Sequence, residues 1–341
     1  MALRILLVDD SMMVRRIVSD IVQKIPGVVI CGEAENGLAA LDRIKTLNPD
    51  LVILDVEMPV MDGLTCLAEI RRAKIRIPVI MLSALTRHGA RETFRALELG
   101  ALDFVPKPLP SSGMGIEDVE FLLSQKIQDI LQLEAVRKEP TKLFHSRSAE
   151  TATHEILCLG SSTGGPTVLN KLFSEFGPGF PVPVLVVQHM PPVFTHAFAE
   201  RLNQISTLKT TEAEDGMQIE KGCAYVAPGD WHMEAGEDGK IHLNRLERVN
   251  SHRPSIDVTL KSVVRVFGPR AVGVIMTGMG NDGVAGMKML AEAGGMTLAQ
   301  DEPSSVVFGM NRRAIEAGAI QKVASADDLP GVLNALFGVK A

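Results

Sequence analysis

Short apolar runs separated by longer amphipathic segments recur along most of this chain, and that alternation constrains the fold more than any other feature. In the first third the runs are residues 5–8, 28–31, 51–54, 79–82 and 102–105, with helical spacing between them at residues such as 12–25 and 90–99. Runs this short are strands, and strands joined through helices pair in parallel. A parallel sheet must be covered by helices on both faces, which is why its strands are apolar throughout. Residues 116–136 read as one last long helix, and residues 137–154 are polar, aperiodic and contain Pro140. That stretch reads as a linker. The alternation then restarts, with strand candidates at residues 156–159, 182–187, 271–276 and 296–299. The expected architecture is α/β: two doubly wound parallel-sheet domains, residues 1–136 and 155–341, joined by a linker over 137–154. A length of 341 residues suits two ordinary domains.

Composition narrows the function classes. Apolar residues make up 46% and charged residues 22% of the chain, a globular balance. The net charge of −6 argues against a nucleic-acid partner and so against a DNA-binding output domain. No apolar stretch is long enough to insert in a membrane. The N-terminal run ends directly in Asp9 and Asp10, unlike a signal peptide. Cys31, Cys66, Cys158 and Cys223 form no CxxC pattern and are expected to be free thiols in a reducing cytoplasm.

In the first domain the polar residues that end the apolar runs carry the chemistry. Asp9 and Asp10 end the first run, Asp55 the third, Ser83 the fourth and Lys107 the fifth. In an open parallel sheet the carboxyl ends of the strands share one edge, so these residues are expected to converge. Three gathered carboxylates repel one another unless a hard cation lies among them, and Mg²⁺ suits such oxygen donors. A lysine beside them fits a site that stabilises a phosphoryl group on one carboxylate.

These residues, with Met58-Pro59 and Asp62-Gly63 after Asp55, Ala84 after Ser83 and Pro108 after Lys107, resemble the receiver domain of two-component response regulators over residues 3 to about 125. The resemblance implies a flavodoxin-like fold with Asp55 as phosphoacceptor. It also implies Mg²⁺ held by Asp9, Asp10, Asp55 and the Glu57 carbonyl, and phosphoryl contacts from Ser83 and Lys107. Phe104 stands where the family keeps an aromatic that changes rotamer on activation. A receiver is a switch, so its output lies beyond the linker.

There the sequence Gly160-Ser161-Ser162-Thr163-Gly164-Gly165 joins a strand to a helical segment. Pro166 follows where a phosphate-binding P-loop has lysine, and Ser162 replaces the second glycine of a dinucleotide fingerprint. The stretch does satisfy G-x-S-x-G, a turn that raises a serine nucleophile, and Pro166 suits the first helical position. A serine hydroxyl needs a base. His189 ends the next apolar run, and the run at residues 271–276 leads into Thr277-Gly-Met-Gly-Asn-Asp282-Gly. Asp282 can orient His189 and stabilise its imidazolium, or simply cap a helix. His232 and His252 are the competing bases, and neither ends a clear parallel strand. Amides near Thr163 and Met279 are candidates for an oxyanion hole. An inactive serine site acting only as a phosphorylation-controlled binding module is the other function class, and methanol release separates the two.

Residues 155–341 resemble the catalytic domain of CheB chemotaxis methylesterases. The likeness is carried by GSSTGGP, VVQHMPPVFT, AYVAPGDWHM, SHRPSIDV, MTGMGNDG and DEPSSVVFGM. It implies a Rossmann-like domain with the triad Ser162, His189 and Asp282, and no cofactor for the ester reaction. Expected substrates are glutamate γ-methyl esters, and certain glutamines, on the cytoplasmic helices of methyl-accepting chemotaxis receptors. The expected phosphodonor is the chemotaxis histidine kinase. In the family the unphosphorylated receiver packs over the active site. Trp231 departs from the polar residue, often arginine, expected at its position, which bears on how the substrate is contacted.

Overall fold

The computed structural model describes residues 2–108, 115–136 and 154–339. The chain divides into two compact units, Met1–Lys138 and Glu139–Ala341. The expected linker over 137–154 lies outside the described residues apart from His154.

In the first unit β1 (Leu3–Val8), β2 (Val28–Ala34), β3 (Leu51–Asp55), β4 (Val79–Ser83) and β5 (Asp103–Pro106) form one sheet in the order β2-β1-β3-β4-β5. All its pairings are parallel, the flavodoxin-like arrangement. The residues of β3 and β4 are buried throughout, as two covered faces require. The helix Ile116–Val136 matches the expected span, and its Val119, Leu123 and Ile127 pack into the same core as Leu3, Ile5 and Val18.

The second unit contains β6 (Ile156–Ser161), β7 (Val184–Gln188), β8 (Lys209–Glu212), β9 (Cys223–Val226), β10 (His232–Ala235), β11 (Ile241–Asn244), β12 (Ala271–Ile275), β13 (Met296–Gln300) and β14 (Lys322–Ala324). Seven of these form a parallel sheet in the order β14-β13-β12-β6-β7-β9-β8, while β10 and β11 make a separate antiparallel hairpin. Read from β9 to β14, this is the Rossmann order 3-2-1-4-5-6 with β8 added at one edge. The chain leaves β6 towards β7 and returns to β12 on its other side. The switch point of the sheet therefore lies between β6 and β12, where open α/β sheets place their sites.

The expected strands are all present, with ends shifted by a few residues. Sequence periodicity missed β8, β9, β14 and the hairpin. Those strands are only three or four residues long; β8 and β14 are mostly not fully buried and carry no apolar run, and the apolar run of β9 is just four residues. None of the four cysteines is in a disulfide. Burial pushes the Cys66 and Cys158 thiols up to about 12, which makes them packing residues rather than nucleophiles.

Candidate active site

The serine turn is built from the end of β6. Gly164 has φ +78°, and Gly165 begins the helix Gly165–Ser174, so Pro166 stands at its second rather than its first position. The missing N–H is an orphan at either place. A side chain on Gly165 would bring its Cβ to 2.1 Å from Gln188 Oε1 and 2.6 Å from Ser161 Oγ, so only glycine fits. Gln188 organises the turn. Its Oε1 accepts from Ser161 Oγ at 2.7 Å, and its Nε2 donates to Ser162 O at 2.9 Å and His189 O at 3.2 Å. Of the two adjacent serines, Ser161 thus spends its hydroxyl on structure, and Ser162 does not.

Parallel register sets Ser162 beside its neighbours. Ser161 pairs with Gln188 across β6 and β7, and His189 N–H donates to Ser161 O at 3.2 Å. On the other side Ser162 N–H donates to Thr277 O at 3.0 Å, just past the end of β12. Gly278 then passes so close that a Cβ there would lie 2.7 Å from Ser162 Cβ. Thr277 ties the loops together: its Oγ1 donates to Thr163 O at 2.8 Å and accepts from Val307 N–H at 2.9 Å. The Met279 N–H has no backbone acceptor among the described residues, and Thr163 is buried in the turn.

His189 Nε2 donates to Asp282 Oδ2 at 2.8 Å, while His189 Nδ1 is buried with no hydrogen-bond partner. The Ser162 hydroxyl is not bonded to that nitrogen in this structure. Catalytic pairs are often loose without substrate and tighten when it binds. Asp282 does not cap its own helix, Val284–Glu292, whose cap is Gly283 with φ +89°. It faces the start of a different helix, Ile256–Phe267. Its Oδ2 accepts from Ile256 N–H at 2.7 Å, and its Oδ1 accepts from Ser255 Oγ at 2.6 Å, Asp257 N–H at 3.2 Å and Asn250 Nδ2 at 3.1 Å. Burial alone would raise the pKa of this carboxyl. The bond and charge of His189, with the Ser255 and Ile256 donors, outweigh burial and hold it well below the usual carboxylate range.

The competing histidines separate clearly. His232 lies in the hairpin, buried, with Nε2 on Glu247 O at 3.0 Å. His252 lies flat against His189, ring centroids 3.6 Å apart and planes 7° from parallel. Asn250, Ser255 and Gln188 are the site residues that sequence reasoning missed, and His252 was weighed there only as a base. Their side chains act on partners from other elements, so no local motif announces them. Trp231 is half-buried, with the Arg245 guanidinium 4.3 Å above its ring. Asp230 beside it pairs with Arg253 Nη2 at 2.5 Å. A guanidinium is therefore present beside residue 231, supplied by Arg245 rather than by that residue.

In the first unit the strand ends converge as expected. Asp9 and Asp55 are buried and Asp10 is exposed; one carboxylate oxygen from each lies within 4.8 Å of the others. Lys107 Nζ is 2.7 Å from Asp55 Oδ2 and 3.2 Å from Asp9 Oδ2. Burial, then the Asp9 charge, pushes the Asp55 carboxyl up to about 7 against the opposing pull of Lys107. Burial likewise raises Asp9. Three acids against one lysine leave negative charge uncompensated in a confined site, and hard oxygen donors at this spacing fit a shared Mg²⁺. Ser83 Oγ donates to Gly89 O at 3.1 Å rather than facing Asp55. Phe104 is buried, edge-on to Phe94 at 6.3 Å. Glu57 N–H donates to Asp55 Oδ1 at 3.3 Å.

Comparison with known proteins agrees with both halves. Residues 157–333 match the CheB methylesterase family model, and residues 5–114 match the response regulator receiver domain. The chain is 40% identical over 338 residues to a protein-glutamate methylesterase/protein-glutamine glutaminase of Pyrococcus abyssi, covering 96% of this chain and 92% of that one. It is 43% identical over 328 residues to a protein of the same name from Pectobacterium atrosepticum, covering 94% and 93%. The crystal structure of the Thermotoga maritima CheB methylesterase catalytic domain superposes with a TM-score of 0.52 at 39% identity, over 54% of this chain and 100% of that one. With this likeness along nearly its whole length, the chain belongs to the CheB family, as a protein-glutamate methylesterase/protein-glutamine glutaminase that carries its own receiver domain.

Proposed function

We propose that Ser162, His189 and Asp282 form the catalytic triad of this enzyme. The observation that carries the proposal is the pair of His189 nitrogens: Nε2 is tied to a buried, ionised Asp282, and Nδ1 has no partner. Nδ1 is then the base. It takes the Ser162 proton as Oγ attacks the γ-ester carbonyl of a glutamyl side chain. The oxyanion is met by the Met279 N–H, with the Thr163 N–H as the second donor. His189 returns the proton to the leaving group, which departs as methanol from an ester or ammonia from an amide. A water, deprotonated by the same nitrogen, hydrolyses the acyl-enzyme. One site thus serves both activities. The substrates in this reading are glutamate methyl esters and glutamines on the cytoplasmic helices of methyl-accepting chemotaxis receptors. The test is methanol release from methylated receptor membranes, with and without a phosphodonor.

Residues 1–136 act as the switch, residues 137–154 as the tether and residues 155–341 as the esterase, working in the cytoplasm. Asp55 accepts the phosphoryl group from a chemotaxis histidine kinase, and Lys107 stands within reach of its oxygens. Ser83 needs only to rotate its hydroxyl away from Gly89 O to join it. Asp9, Asp10, Asp55 and the Glu57 carbonyl would hold Mg²⁺, which supplies positive charge to the transferring phosphoryl oxygens. The thermal midpoint of the receiver unit is expected to rise in millimolar Mg²⁺, by up to about 2.7 kcal/mol of stabilisation at a hundredfold excess over Kd. Asp10→Asn, which alters the exposed ligand and leaves the buried pair intact, should lose most of that rise. An equal rise in the variant would remove Asp10 from the ligand set.

Phosphorylation favours an open state of the enzyme over a covered one. A fragment of residues 153–341 is therefore expected to outpace unphosphorylated full-length protein, by about 5- to 150-fold if coupling is of usual size. Asp55→Asn should keep basal turnover and lose stimulation by phosphodonor. A fragment no faster than the whole chain on the same receptor would replace inhibition by covering with assistance by the receiver.

A further inference from the structure

Residues 245–255 connect β11 to the helix Ile256–Phe267, and the end of this connection closes on the site. Val249 and His252 exchange backbone bonds, Val249 N–H to His252 O at 3.1 Å and His252 N–H to Val249 O at 2.9 Å. Between them Asn250 and Ser251 both have positive φ, 52° and 67°. Two central residues with φ > 0 mark a type I′ turn, which accepts Asn readily but favours glycine at the second place. Ser251 fills that place in a backbone region that L side chains rarely adopt. Surrounding contacts must hold the turn in this form.

Two side chains of the turn reach the site. Asn250 Nδ2 donates to Asp282 Oδ1 at 3.1 Å and to Asp257 Oδ2 at 2.9 Å, bridging two carboxylates. His252, itself buried, covers one face of His189. His189 has one polar tie, at Nε2, because Nδ1 has no partner. A ring tied at one atom can tilt about that bond, so packing must set its plane. A face-to-face stack is not the arrangement aromatic rings choose for themselves, which is offset or edge-on. The turn imposes it.

We propose that the 249–252 turn is a positioning clamp for the general base. His252 fixes the plane of the His189 ring by stacking, and Asn250 fixes the second oxygen of the carboxylate that orients it. This rests on reading Ser162, His189 and Asp282 as the acyl-transfer site. His252 acts through its flat face, not through its nitrogens, and is a positioning residue.

The test compares His252→Phe, which keeps a flat ring, with His252→Leu, which fills similar space without one, both in the full-length protein. His252→Leu is expected to lower kcat for methanol release by about 10- to 100-fold with little change in KM, the scale of a misplaced catalytic group. His252→Phe should recover most of it. In ¹⁵N-histidine NMR spectra, wild type and the Phe variant should hold His189 as the Nε2–H tautomer, and the Leu variant should show a mixture. The clamp is overturned if Phe is as slow as Leu, which would assign the effect to the His252 nitrogens. It is equally overturned if Leu matches wild type in rate and tautomer. Should wild type release no methanol, the esterase reading of the site fails, while the NMR comparison still decides whether the turn holds the ring.

Discussion

Ser162→Ala is expected to abolish methanol release while leaving Asp55 phosphorylation intact. The loss should approach 10⁶-fold in kcat, about the size seen when a serine hydrolase loses its nucleophile, with only residual transition-state binding left. The fold should survive the change unusually well. The Ser162 hydroxyl belongs to none of the side-chain networks that build the turn, so alanine orphans no buried partner. Ser161→Ala makes the contrast. It deprives buried Gln188 Oε1 of its donor and should cost stability, about 1–3 kcal/mol, without removing the attacking atom. Thermal melts beside methanol assays on the two variants separate nucleophile from scaffold. If Ser162→Ala turns over methylated receptor at near the wild-type rate, the serine mechanism is wrong.

Asp282→Asn is the second large effect, a fall in kcat on the order of 10⁴-fold by comparison with the equivalent serine protease change. The reason here is geometric. Asp282 accepts from His189, Ser255, Asn250 and two helix amides, and an Asn side chain has only one accepting oxygen. Turned with its NH₂ towards His189, it donates to Nε2 and moves the imidazole proton to Nδ1, the nitrogen that must act as base. Turned the other way, its NH₂ meets the Asp257 N–H and the Asn250 NH₂, which cannot accept, and only the Ser255 hydroxyl can reverse its role. Stability also changes, and the sign follows from the carboxyl's pKa. A carboxyl held low in the native state stabilises the fold above its unfolded value near 3.9, and that contribution is lost as pH falls towards the native value. The variant should therefore melt below wild type at pH 7, and the gap should narrow as pH drops below about 4. A harmless His189→Ala together with a large loss from His232→Ala would instead place the base in the hairpin.

By itself the sequence determined the elements and the chemistry that rides on their ends. Strand runs, the 160–165 turn and the acids at the ends of β1 and β3 are legible because each depends on neighbours a few residues away. Burial on both faces writes a parallel strand as an unbroken apolar run, and a sharp strand-to-helix turn demands glycine. The parallel-sheet rule then carries those ends to one edge, which is why Asp9, Asp55 and Lys107, and separately Ser162 and His189, could be paired before any contact was known.

Tertiary structure alone decided the rest. Only the β12-β6-β7 order makes Ser162 a neighbour of both Thr277 and His189, and strand order leaves no local trace. Ser161 and Ser162 are equal in the sequence until Gln188, on another strand, occupies one of them. The sequence offered Asp282 as a possible cap of its own helix, but the backbone amides it accepts from open a helix that starts 26 residues earlier, at Ile256. His252 looked like a competing base, and its ring lies stacked face to face on that of His189. The physical reason is the same in each case. Hydrogen bonds and ring contacts between separate elements depend on how those elements pack, and packing is set by the whole core rather than by any short stretch of chain.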